Sequence, residues 1–233
     1  MRYKTRFNIA KKSAFAVTLL ALSQAAVADE TPQHTWSDGF ISRLEALAVL
    51  ETLNSELLSH DSATLTLDRW CEDHHLASPA RIIAERIHGA EKEPTAEQRQ
   101  ILGVTASEPI RYRKVRLSCG GHVLSEADNW YVPGRLTPDM NRVLDTTDTA
   151  FGRAVQALKF HRRTLSAKLL WSPLPRNWEM APIPSEKTDR ASLAIPHEVL
   201  QHMAVLTLPD GRPISQVVET YTAEILDFPQ PHH

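Results

Sequence analysis

Residues 110–133 read IRYRKVRLSCGGHVLSEADNWYVP, and the pattern is strand, turn, strand. Gly120-Gly121 supplies the positive φ values that a tight hairpin requires. Alternation along the first run places Arg111 and Arg113 on one face with Val115 and Leu117, and Lys114 and Arg116 on the other. Downstream, Leu136 to Leu144 reads as a helix with Pro138 in its first turn, and Thr149 to Leu158 as a shorter helical stretch. Phe160 to Trp171 alternates as a strand, and the Pro-rich stretch 172–196 as a long loop. Residues 204–226, AVLTLPDGRPISQVVETYTAEIL, form a second hairpin turning at Pro209-Asp210-Gly211. Upstream lie a loop over 89–109 with a helix at Thr95–Leu102, a helix over Thr64–Asp73, and an amphipathic helix over Phe40–Leu58. Helices lead and antiparallel strands follow, without a repeat, which predicts an α+β fold rather than a doubly wound one.

The N-terminus has a separate character. Arg2, Lys4, Arg6, Lys11 and Lys12 precede the apolar run Ser13 to Leu22, and Ala26-Val27-Ala28 offers small residues to a signal peptidase. That order is the secretory pattern, and the run is about half as long as a membrane-spanning helix needs. Residues 1–28 are therefore expected to be a cleaved signal, placing the remainder in the periplasm or outside the cell. The segment holds five of the 26 basic residues and none of the 28 acidic ones, so the other 205 residues carry 21 basic against 28 acidic groups. Such an acidic chain is a poor candidate for general nucleic-acid binding, and nothing after residue 28 is apolar enough to stay in a membrane. Residues 29–56 read as a leader and N-terminal helix, and 57–228 as the main domain. Cys71 and Cys119 can pair in an oxidising compartment or remain buried thiols; the sequence leaves both open.

Familiar catalytic signatures are absent: no G-x-S-x-G, no H-E-x-x-H, no C-x-x-C and no Gly-rich phosphate loop. No metal and no cofactor are expected. Asp73-His74-His75 offers metal-ligand chemistry but reads more readily as a solvated helix end, and Arg162, Arg163 and Arg176 offer anion binding but read more readily as exposed strand ends. Two groups stand out. Arg113 shares a face with apolar residues, so it needs an anion from the protein or from a ligand. Glu219 lies between Val217, Val218, Thr220 and Tyr221 and needs a partner as well. The residues alone allow a structural ion pair between the two, or a site that both serve.

The stretch 108–133, the segment LDTTDTAFGRAV and the terminal DGRPISQVVETY together resemble the chorismate pyruvate-lyase family. Tyr131-Val132-Pro133 is similar to the end of that family's second strand. Thr149-Ala150-Phe151-Gly152-Arg153 is similar to its Thr-Pro-Leu-Gly-Arg segment, and Gly211-Arg212-Pro213 with Glu219 to its last strand. Asp61-Ser62-Ala63-Thr64 is similar to its Asp-Ser-Met-Thr helix start. The resemblance runs in patches over residues 57–225. It implies a chorismate lyase-like fold: an antiparallel β-sheet of about six strands with N-terminal and inserted helices, enclosing a ligand between sheet and helical flaps. Effector-binding domains of bacterial transcription regulators share that architecture. The implied reaction is conversion of chorismate to 4-hydroxybenzoate and pyruvate without a cofactor.

Carried onto this chain, the resemblance assigns catalysis to Glu219 and Arg113, with Arg113, Phe151, Gly152, Arg153 and Ala63 around the substrate. One extra hairpin residue puts Arg113 at the family's Arg, whereas ungapped matching puts Lys114 there. Ala63 replaces a pocket-lining Met, and export separates the chain from cytoplasmic chorismate. The expectations are thus an exported lyase acting on an aromatic precursor, a non-catalytic binder of small aromatic carboxylates, or a partner-binding envelope protein. A monomer is expected, with a small aromatic carboxylate as its ligand.

Overall fold

The fold is taken from a computed structural model, which describes Met1, residues 35–183 and residues 191–230. The expected signal segment, most of the leader and part of the 172–196 loop lie outside the described residues.

Six strands form one antiparallel sheet: β1 (Ile82–Arg86), β2 (Arg111–Cys119), β3 (His122–Tyr131), β4 (His161–Leu169), β5 (Glu198–Thr207) and β6 (Pro213–Thr222). Their order is β1-β2-β3-β6-β5-β4. The helices are α1 (Phe40–Ser59), α2 (Ala63–Asp73), α3 (Ala96–Leu102), α4 (Pro138–Thr146) and α5 (Phe151–Ala154). The architecture is the expected α+β one, with six antiparallel strands and both N-terminal and inserted helices.

Local chemistry explains the elements. Ala46, Leu50, Leu53 and Leu57 recur one or two turns apart on α1 and are fully buried. They pack with Leu67 and Trp70 of α2 onto Val115, Leu117, Ala127, Leu200, Val217 and Tyr221 of the sheet. The boundary expected between residues 56 and 57 therefore falls inside a helix whose apolar stripe belongs to the domain core. Thr95 and Gln98 form a reciprocal capping box at the start of α3, and Gly103 ends it with left-handed backbone. This helix sits on the reverse face of the sheet, where Leu102 packs with Trp130 and Val132.

The first hairpin differs from expectation at its tip. Only Gly120 takes a positive φ, of 58°, and a Cβ there would lie 2.7 Å from the Ala77 Cβ. β5 begins at Glu198, six residues before the run recognised in the sequence, and β1 forms where the sequence reading assigned no element. Cys71 of α2 and Cys119 of β2 form a disulfide, both fully buried.

The register sets out one sheet face as cross-strand rows. Arg113, Asn129, Val217 and Ala204 are successive partners on β2, β3, β6 and β5. The next row along is Val115, Ala127, Glu219 and His202. This is the face that α1 and α2 cover.

Candidate ligand-binding site

A cavity opens between that face and the first turns of α2 and α5. Its floor is Arg113, Val115, Leu117, Ala127, Asn129, Val217 and Glu219; its roof is Ser62, Ala63, Thr64, Phe151 and Gly152, with Phe160, Leu206 and Arg162 at one side. Its empty space, part of it continuous with solvent, comes to about 510 Å³. The interior has apolar walls and a few polar groups directed into it.

Gly152 allows the roof to close. A Cβ at this position would lie 3.0 Å from Ser62 Oγ and 3.2 Å from Thr64 Oγ1. Ser62 caps α2, accepting from the Leu65 N–H at 3.4 Å. The α2 start therefore lines the cavity, and the positive end of its dipole favours negative charge nearby.

Arg113 is 2% exposed. Its two terminal nitrogens reach only the Thr149 carbonyl, each at 3.4 Å, and its Nε has no hydrogen-bond partner. Among the described residues no carboxylate lies within ion-pair distance of it. Burial pushes its pKa below the usual guanidinium value, with partial compensation from Tyr131 and the more distant Asp145 and Asp148. A buried cation without a close counter-ion costs several kcal/mol. Lys114, the other candidate for that role, points to the opposite face and approaches Glu126 at 3.8 Å.

Glu219 has a different partner from the one considered in the sequence reading. Arg113 and Glu219 stand on β2 and β6 with β3 between them, two strand spacings or about 10 Å apart at the backbone. Ala127 and Asn129 fill the intervening strand, leaving room above. Instead, Arg162 donates to Glu219 Oε2 at 2.5 Å, and both side chains are under a tenth exposed. The Tyr221 hydroxyl donates to the same oxygen at 3.3 Å. Arg162, expected to be exposed, is therefore a cavity wall: its side chain enters the cavity beside Phe160, and Asp61 accepts from its backbone N–H. Glu219 is an ion-paired carboxylate rather than an isolated one.

Arg153 is corrected as well. It leaves the cavity and pairs with Asp68 Oδ2 at 2.5 Å, tying α5 to α2. Phe151, Gly152 and Ala63 do line the cavity. Behind Glu219, His202 is fully buried; its Nε2 meets Asn54 Oδ1 at 2.8 Å and its Nδ1 has no partner among the described residues. Burial, reinforced by the Arg162 charge, pushes its pKa down to about 4. Burial likewise raises the Tyr221 hydroxyl well above its ordinary value. Both groups are neutral at pH 7. No cluster of three metal-ligating side chains occurs among the described residues. His74 of the expected solvated helix end stacks on Trp70 with ring centroids 3.9 Å apart.

The fold and site define a class: an α+β domain with a six-stranded antiparallel sheet and a partly open cavity bearing a buried cation. The chain is 55% identical over 205 residues to the uncharacterized protein y4mC of Sinorhizobium fredii (strain NBRC 101917 / NGR234), covering 87% of this chain and 86% of that protein. It belongs to the same family as y4mC. No family model matches it. Among solved structures it is similar to PhnF from Mycobacterium smegmatis, at 13% identity and TM-score 0.45, covering 76% of this chain and 70% of that one. It is also similar to the possible transcriptional regulator YydK from Bacillus subtilis, at 17% identity and TM-score 0.39, covering 65% of this chain. The chain spans 62% of the length of YydK, under two thirds.

Proposed function

We propose that this protein is an exported, chorismate lyase-like binder of small aromatic carboxylates, with Arg113 as the group that holds the carboxylate. The observation that carries the reading is a guanidinium buried against a cavity with no carboxylate within ion-pair distance among the described residues. A bidentate carboxylate would satisfy its terminal nitrogens, the α2 start would add favourable dipoles, and Phe151, Phe160 and Leu206 would cover an aromatic ring. Neither metal nor cofactor enters the scheme. The Cys71–Cys119 disulfide supports an oxidising compartment, in line with removal of residues 1–28.

Thermal melting with benzoate and 4-hydroxybenzoate tests the reading, because a ligand that binds only the folded state raises the melting temperature. Stabilisation that disappears in Arg113→Met is expected. A flat response to every aromatic carboxylate overturns the proposal.

A lyase reading has its own support. Arg113, Phe151 and Glu219, the three positions that the chorismate pyruvate-lyase resemblance singles out, meet at one cavity. It is the second choice because Glu219 is already engaged by Arg162 and Tyr221. Incubation of the purified protein with chorismate decides between the two: pyruvate above the uncatalysed rate, lost in Glu219→Ala, establishes the lyase.

A further inference from the structure

The charges around the cavity specify more than an anion. Four ionisable side chains line it: Asp61, Arg113, Arg162 and Glu219. Asp61 stands half-exposed at the mouth, where it accepts from the Arg162 backbone N–H at 2.8 Å and approaches His161 at 3.4 Å; water screens its charge. Arg162 and Glu219 neutralise each other at 2.5 Å inside. Outside the cavity lining, Arg111 pairs with Asp145 at 2.7 Å, and the remaining charges felt by Arg113 are one cation, Arg86, and one carboxylate, Asp148. Asp68 and Arg153 cancel beside the roof. One buried positive charge is left over, on Arg113.

Resting on the anion-site reading above, we infer that the cavity takes a ligand with a single negative charge, and that Arg162 enforces this by keeping Glu219 in place as a fixed internal anion. A second carboxylate on the ligand would lie against apolar walls or beside Glu219; the further donor there, Arg162 Nε, belongs to a guanidinium whose charge Glu219 already balances, so the added charge stays uncompensated. The selection is therefore for monocarboxylates. Chorismate, with two carboxylates, is the wrong charge class unless its second group remains in solvent at the Asp61 mouth. Arg162 and Glu219 are specificity-determining residues on this account, reading charge rather than shape.

Calorimetric titration of the whole protein with 4-nitrobenzoate and with terephthalate separates charge from size, because the nitro group matches a carboxylate in shape and carries no net charge. The expected result is 4-nitrobenzoate binding at least about ten-fold more tightly, the scale of one uncompensated buried charge. Terephthalate binding as tightly or more tightly overturns the single-charge inference and leaves the carboxylate site intact. Binding of neither compound, nor of benzoate, overturns the site reading itself. Glu219→Gln should narrow the preference by about ten-fold, since the cavity then holds two positive charges; an unchanged preference in a folded variant counts against the assigned role. If that variant does not fold, the wild-type pair of titrations decides the matter alone.

Discussion

Arg113 and His202 are buried at opposite ends of the same polar array, and each makes a prediction whose sign is informative. Replacing Arg113 with Met removes an uncompensated buried charge, so stability should hold or rise by about 1 kcal/mol while carboxylate binding falls on the order of 100-fold. Denaturant melts and calorimetry on one variant measure both, and a large loss of stability would show that Arg113 is a structural cation. His202 has its folded pKa depressed to about 4 from 6.5. Between those values the unfolded chain binds the extra proton and the folded one does not, so stability falls as pH drops from about 6.5 towards 4. The slope approaches about 1 kcal/mol per pH unit. His202→Gln should flatten that part of the stability profile, and an unaltered profile would assign the acid sensitivity elsewhere. Arg113 was legible in the sequence because it shares a strand face with Val115 and Leu117, and Glu219 because it breaks an apolar run. Arg162 was not, since HRR at the start of a strand looks like an exposed end; only the sheet pairing that turns its side chain to Glu219, beside Phe160, makes it interior. Arg153 misled for the converse reason: its segment resembles a substrate-binding motif, yet Asp68 of the adjoining α2 offers a nearer partner.

At the level of elements, the hairpin 110–133 and the helix beginning at Phe40 were readable because period and turn chemistry agree. β1 escaped because five residues are too few to display a period; it is held by pairing to β2 and by Asp68, which accepts from the Ile82 N–H at 2.7 Å. The start of β5 escaped because His202, a polar residue, occupies an inward position that is normally apolar. The two hairpin glycines differ in a way the sequence could not show. Gly120→Ala meets both left-handed backbone and the Ala77 Cβ at 2.7 Å, whereas Gly121 has open space. The first substitution should cost about 2 kcal/mol and the second a few tenths, read from urea midpoints. Comparable losses at both sites would contradict the turn described. On α1, Leu53→Ala should cost about 3 kcal/mol, because it empties a site that is fully buried under α2 and the sheet.

For the whole molecule, the order of elements announced the α+β class, while the strand order and the layer that each helix joins emerged only with the pairing. Loop closure over the 48 residues separating Cys71 and Cys119 is worth up to about 4 kcal/mol. Reduction should therefore lower the melting temperature by roughly 10 °C, and no change on reduction would make the bridge energetically idle. If residues 1–28 direct export, the protein recovered from the periplasm should begin at Asp29, which N-terminal sequencing reads directly. The same bridge has a mechanical corollary. It fastens the last turn of α2 to the far end of β2, about 20 Å along the strand from Arg113, whereas Ser62 at the other end of that helix carries no such tether. Any parting of roof from floor should then be least at the sulfurs and greatest over Arg113, where only non-covalent ties such as Asp61 to the Arg162 N–H oppose it. Spin labels at positions 60 and 163 should broaden their separation in the absence of ligand, and labels at 74 and 122 should keep theirs.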